Sequence, residues 1–328
     1  MGGGAQDELF PDLPQPESAP AARRTAVAPA VVEVRNATLA RQLPQKVRLG
    51  TSTWSFAGWR GLVYDGEHEE TLLAREGLAA YAAHPLLRAV GVDRSFYAPI
   101  APRTLEKLGA QVPADFRFLM KAHAAITTPK SARRPAFLAG APQAFLDAEY
   151  ARRVVVEPAR AAWGEKLGVV LFQFSPLGER VWEHRARLLE RLADFLHALP
   201  RGVPYAFEWR DPEILGADYH ALLASEGGVH GGCAHPRMPP IDAQGADPAA
   251  AGPLVLRWLL RRDRAYEAAR AAYAPFDRLV EPDLDARRRI VQLVREAVAN
   301  GREAIVIVNN KAEGCAPLSV AELAAAIA

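Results

Sequence analysis

Near the ends of four apolar runs one polar side chain lies between apolar neighbours: Met120-Lys121-Ala122, Phe172-Gln173-Phe174, Phe207-Glu208-Trp209 and Leu256-Arg257-Trp258. A polar group in such a run is desolvated and must find a hydrogen-bond or charge partner. Glu208 is the candidate general acid or base, because flanking aromatics raise a carboxyl pKa and a nearby Lys or Arg lowers it again. Lys121, Arg210 and Arg257 suit an anionic group, Arg as a bidentate fork and Lys as a point charge. Asn309, Asn310 and Gln173 offer amide donors and acceptors to hydroxyl or carbonyl groups. Arg60 and Asp93 complete the polar set expected to bind substrate. Tyr97 joins Glu208 and Lys121 as a candidate catalytic group, and with Trp54 it offers an aromatic wall; core packing accounts for both rings equally well.

Two other readings of the same residues stay open. Asp93, His123, Glu208 and His235 make a donor mix that suits a divalent Zn, Mn or Fe ion. No HxxE, HExxH or CxxC spacing accompanies them, so only geometry can recognise such a site. Alternatively, Glu208 pairs with Lys121 or Arg257 and closes the top of a core without touching any substrate.

These residues fall at the ends of eight apolar runs: 47–54, 89–96, 116–123, 167–174, 204–210, 228–235, 253–259 and 304–310. Most are continuous rather than alternating, which suits strands covered on both faces. Helical periodicity fills 70–84, 102–112, 144–163, 180–199, 212–227 and 285–301. Alternating strand and helix implies parallel pairing, and eight units imply a closed (β/α)8 TIM-like barrel with its chemistry at the C-terminal strand ends. Residues 236–252 carry no helical pattern, so the sixth crossover is expected to be an irregular loop. Residues 124–142, rich in Pro, Ala and basic residues, are expected to form a second long loop at the mouth.

Residues 1–46, with Gly2 to Gly4 and prolines at 11, 14, 16 and 20, are expected to be a disordered tail before a single domain at 47–328. Within the tail, Gln6 to Phe10 has the Gln-x-x-Leu-Phe pattern that docks bacterial proteins on the DNA sliding clamp, which opens a clamp or DNA partnership. The net charge of +2 gives no sign of a nucleic-acid groove. No apolar run is long enough to span a bilayer, and two cysteines without a CxxC fit a reducing cytoplasm. Cys233 reads as a core residue and Cys315 as a more exposed loop residue without a base beside it. Ser319 to Glu322 reads as a helix capping box that would occupy the amides a phosphate would need.

The segments GTSTWSFAGWRG (50–61), RSFYAPIAPRTLEKL (94–108), PADFRFLMKAH (113–123), LGVVLFQFSP (167–176), FEWRDPE (207–213) and VNNKAEGCAP (308–317) together resemble the YecE-like family, domain of unknown function 72. The similarity runs in order from about residue 47 to 328. It implies a TIM-barrel-like fold and no established reaction. The family pattern falls on Thr51, Trp54, Trp59, Arg60, Ser95, Phe96, Tyr97, Lys121, Gln173, Glu208, Arg210, Asn309 and Asn310. The chain departs from it at Gly91-Val92-Asp93, at His235, and at Arg257-Trp258-Leu259-Leu260, the marks of a divergent subgroup.

Three functional readings follow. The first is an enzyme, with hydrolysis one form of it, using acid–base chemistry on a small anionic or hydroxylated substrate, with Glu208 reached by solvent so that Glu208→Gln costs little stability. The second is a DNA-associated, metal-dependent phosphodiesterase tethered by its tail. The third is a non-catalytic binding scaffold.

Overall fold

The computed structural model describes residues 27–129, 136–245 and 250–328. The eight apolar runs form β1 (Val47–Thr51), β2 (Ala89–Val92), β3 (Arg117–Lys121), β4 (Leu167–Gln173), β5 (Tyr205–Glu208), β6 (Gly228–Ala234), β7 (Leu254–Trp258) and β8 (Ala304–Val308). All pairs are parallel, each strand joins the next, and β8 returns to β1, closing the barrel. Gly50 is required at the β1–β2 seam, since a Cβ there would lie 1.8 Å from the carbonyl oxygen of Ala89.

The period of two along each strand sorts side chains into two cores. Ala89, Leu119, Val169, Leu171, Ala206, Val229, Val255, Ile305 and Ile307 fill the barrel interior. Phe118, Phe172, Phe207, Leu256 and Trp258 point the other way, into the layer shared with the surrounding helices. There Phe174 stacks on Trp209 at 3.9 Å, and Phe172 on Phe207 at 5.2 Å. On β5 this places Phe207 and Trp209 outside and Glu208 inside, one step beyond Ala206.

Several expectations need correction. Within the expected tail, residues 34–42 form a helix whose Leu39 and Ala40, followed by Leu43, pack against the outer core. The Ala30 amide bonds the Val63 carbonyl, and Arg35 pairs with Glu322 at 2.9 Å. Short apolar residues spaced for one helical face supply enough contact to order this stretch. Residues 1–26, with Gln6 to Phe10, lie outside the described residues. The 144–163 helix starts at Ala148, where Asp147 accepts a bond from the Tyr150 amide, and passes through a π-turn at Arg152–Val156. Tyr266–Tyr273 is a helix that the periodicity did not single out. The described residues of the sixth crossover hold no α-helix, as expected, and form a 3-10 turn at Ile241–Gln244. The mouth loop holds a short helix, Ala124–Thr127, and a 3-10 turn, Ala136–Leu138.

The capping box does not form. The last helix begins at Ala316, so Ser319 lies inside it with a buried, unpartnered Oγ, and Glu322 turns to Arg35 and Arg287. Cys315 is buried rather than exposed, and burial pushes its thiol up to about 12.

Candidate functional site

Strand parity aims Lys121, Gln173, Glu208 and Arg257 into the barrel at its C-terminal end. The register sets Gln173 directly beside Glu208, and Cys233 beside Arg257. Glu208 is fully enclosed, held by Arg210 Nη2 at 2.5 Å and by Arg257 Nη1 at 3.2 Å. Arg257 turns its other arm to Asp93, whose Oδ2 lies 2.9 Å from Nη2. Arg210 Nη1 also donates to the Trp209 carbonyl at 3.2 Å and lies 3.1 Å from Cys233 Sγ. The result is a continuous chain, Asp93–Arg257–Glu208–Arg210, drawn from two strands and two strand-following turns.

Burial alone would raise the Glu208 carboxyl. The field of Arg210, Arg257 and Lys121 outweighs it and holds the group below the usual carboxylate range. Glu208 is therefore an ionised frame member. This corrects the expectation of a solvent-reached acid or base: the carboxylate is 0% exposed and paired with two buried arginines.

Lys121 differs from every other cation in the cluster. It is 7% exposed, yet it has no hydrogen bond and no carboxylate within ion-pair distance among the described residues. Its Nζ sits 3.9 Å above the centre of the Phe96 ring. Burial lowers its ammonium to about 8, with Asp93 and Glu208 working against that drop and Arg257 and Arg210 with it. Ser52 Oγ and Arg257 Nε are also buried without a hydrogen-bond partner. Sequence reasoning gave Ser52 and Phe96 no site role, although the first stands at a strand end and the second falls on the family pattern beside Tyr97.

The remaining predicted residues divide. Asn309 caps the turn after β8, its Oδ1 accepting from the Lys311 amide at 3.0 Å. Asn310 is architectural, its Oδ1 taking bonds from Trp59 Nε1 at 3.2 Å and from the Ala316 amide at 2.8 Å. Trp54 is also architectural: it is buried and donates to the Leu73 carbonyl at 3.0 Å. Arg60 lies exposed and pairs with Glu67, away from the cluster. Tyr97 is 55% exposed and meets Phe96 edge-on at 5.6 Å.

The metal set does not assemble. Asp93 and Glu208 are engaged by arginines, and His123 Nδ1 lies 3.0 Å from the Tyr150 hydroxyl. His235 Nδ1 accepts from the Arg237 amide, and burial lowers that imidazole to about 4. Among the described residues, no three His, Cys, Asp or Glu side chains form a group able to hold a metal ion. Nor is any described helix long and apolar enough to cross a membrane.

Comparison with known proteins agrees with this architecture. The model of a family described as "Protein of unknown function DUF72" matches residues 48–328. A crystal structure of a DUF72 family protein from Thermotoga maritima MSB8 superposes with a TM-score of 0.58 at 21% identity, covering 84% of this chain and 97% of that one. One from Enterococcus faecalis V583 gives 0.53 at 16% identity, over 86% and 95%. No curated protein matches. With its barrel closed and the family model spanning all eight strands, the chain belongs to the DUF72 family.

Proposed function

We propose that the barrel mouth binds a small anionic substrate, with Lys121 as its counter-charge and proton-transfer group. The observation that carries this reading is the charge count in the cluster. Three cations (Lys121, Arg210 and Arg257) face two carboxylates (Glu208 and Asp93), and the unmatched cation is the one without a partner. An uncompensated buried charge costs several kcal/mol, so its persistence is best explained by an anion that completes the set. Glu208 acts here as a positioning residue that fixes both arginines. Lys121, with an ammonium near 8, offers both protonation states close to neutral pH. Gln173, beside Glu208 in the strand register, supplies a neutral polar contact at the same end of the barrel.

The test uses simple anions as probes. Inorganic phosphate should raise the melting temperature of the wild-type protein by mass action on the folded state. Lys121→Met should remove that response. A wild-type protein indifferent to phosphate, sulfate and acetate up to tens of millimolar would sink the reading.

A further inference from the structure

Among the described residues, the exposed aromatic side chains are not scattered. Tyr97 (55% exposed), Phe137 (42%) and Tyr266 (54%) are the large aromatics left open to solvent, and each follows or faces a C-terminal strand end. Tyr97 and Phe137 meet at 5.0 Å, and both touch Phe96, at 5.6 and 5.9 Å. Phe96 in turn carries Lys121 Nζ on its face. Tyr266 lies near enough to Tyr97 for its charge to disfavour ionisation of the Tyr97 phenol, and its own ring holds Lys311 Nζ at 4.7 Å. One wall of the mouth thus runs without a break from solvent-facing rings down to the unpartnered ammonium.

Exposed rings cost little singly, but three at one opening form an apolar surface that single scattered residues do not. Nothing in the chain covers them among the described residues. Tyr97 and Phe137, their ring centroids 5.0 Å apart, suit one flat ring, for which stacking or edge-on contact adds binding beyond simple area. The cation below fixes the polarity of what such a ring carries.

We infer that the mouth is built for a flat aromatic ring bearing an anionic group, the ring lying on Tyr97 and Phe137 and the anion reaching Lys121. This rests on the anion-binding reading above and narrows its substrate class. Carboxylate and phosphate satisfy the same chemistry, and the experiment separates them.

Binding is measured by saturation-transfer NMR and titration with benzoate, phenyl phosphate, cyclohexanecarboxylate, inorganic phosphate and phenol. Benzoate or phenyl phosphate should bind at least about tenfold tighter than its ring-free or non-aromatic counterpart, a difference of ~1.4 kcal/mol. Whichever of the two binds tighter names the anionic group. Tyr97→Leu should remove most of that preference while leaving the affinity for inorganic phosphate unchanged, and Lys121→Met should abolish binding of both aromatic anions. If phosphate binds but benzoate matches cyclohexanecarboxylate, or if Tyr97→Leu changes nothing, the ring subsite is wrong and the anion reading stands. If phenol binds as well as benzoate and Lys121→Met is without effect, the anion reading falls, and the ring-bearing anion with it. If no probe binds, both fall.

Discussion

Both ends of the barrel are closed by charge, but the two closures differ in what they leave over. At the N-terminal end, Arg48 and Arg117 share one carboxylate, with their Nε atoms 3.0 and 3.2 Å from Glu303 Oε1. Each guanidinium also reaches backbone carbonyls, Arg48 those of Gln45 and Val47, Arg117 those of Ala114 and Phe116. Both cations there have a carboxylate of the chain within ion-pair distance, two arginines to one carboxylate. At the C-terminal end, Glu208 and Asp93 organise two arginines, and Lys121, Ser52 Oγ and Arg257 Nε remain without partners. A barrel gains stability at its lower face and keeps its chemistry at its upper one; a buried guanidinium Nε lacks a hydrogen bond at both ends, on Arg48 and on Arg257, and the difference is the buried Lys121 ammonium, which has no carboxylate within ion-pair distance among the described residues.

The largest effect expected is at the centre of the mouth cluster. Glu208→Gln leaves Arg210 and Arg257 facing a neutral amide inside a closed core. Breaking a buried pair in this way costs about 3–5 kcal/mol, readable by urea denaturation at pH 7. The sign with pH follows from the lowered carboxyl. Its stabilising contribution is complete above the ordinary carboxylate range and is lost as pH falls through the lower native value. The gap between wild type and Glu208→Gln should therefore close only in strong acid. A loss below about 1 kcal/mol would break the comparison, because the carboxylate would then be as well solvated as a surface group.

Next in size, and opposite in sign, is Lys121→Met. The native ammonium, near 8 against an ordinary 10.5, binds its proton less readily than in the unfolded chain. At ~1.36 kcal/mol per unit, the charged form costs the folded state up to about 3 kcal/mol at pH 7. Met fills similar space without charge, so the variant should be more stable by about 1–3 kcal/mol while losing phosphate binding, the usual exchange at a functional site. Between pH 8 and 10.5 the unfolded wild type holds more protons than the folded one, so wild-type stability rises and the two proteins converge. A variant that is less stable at pH 7 would instead make Lys121 a structural partner of Glu208.

The fold was largely legible in the sequence, because eight continuous apolar runs between amphipathic segments leave few other ways to bury both strand faces. Strand parity does aim Lys121, Glu208 and Arg257 into one end of the barrel as the strand-end reading expects, while Asn309, expected with them, caps the turn after β8. Roles were less legible. Which cation Glu208 would choose depends on strand register and on the turn that swings Arg210 back, and sequence spacing encodes neither. Arg60 misled because its neighbour Trp59 is buried against Asn310 while Arg60 itself points into solvent. The helix at 34–42 was missed because its apolar residues are small and few, so composition resembles a tail although Leu39 and Leu43 pack on the outer core.

The smallest effect, and the sharpest control, belongs to the other end of the barrel. Glu303 is about a quarter exposed, so water partly compensates Arg48 and Arg117 when its charge is removed. Both arginines also keep their carbonyl partners. Glu303→Gln should then cost only about 1–2 kcal/mol, less than Glu208→Gln for the same chemical change. The full height of the barrel interior separates this cluster from Lys121, and distant sites without shared partners act additively. Phosphate affinity should therefore match wild type, and the double variant with Lys121→Met should show the sum of the two stability changes within about 0.5 kcal/mol. A shift in phosphate affinity on Glu303→Gln would mean that the two charge clusters communicate through the interior, and that the mouth's surplus cation is set by the whole barrel rather than by the four charged residues nearest it.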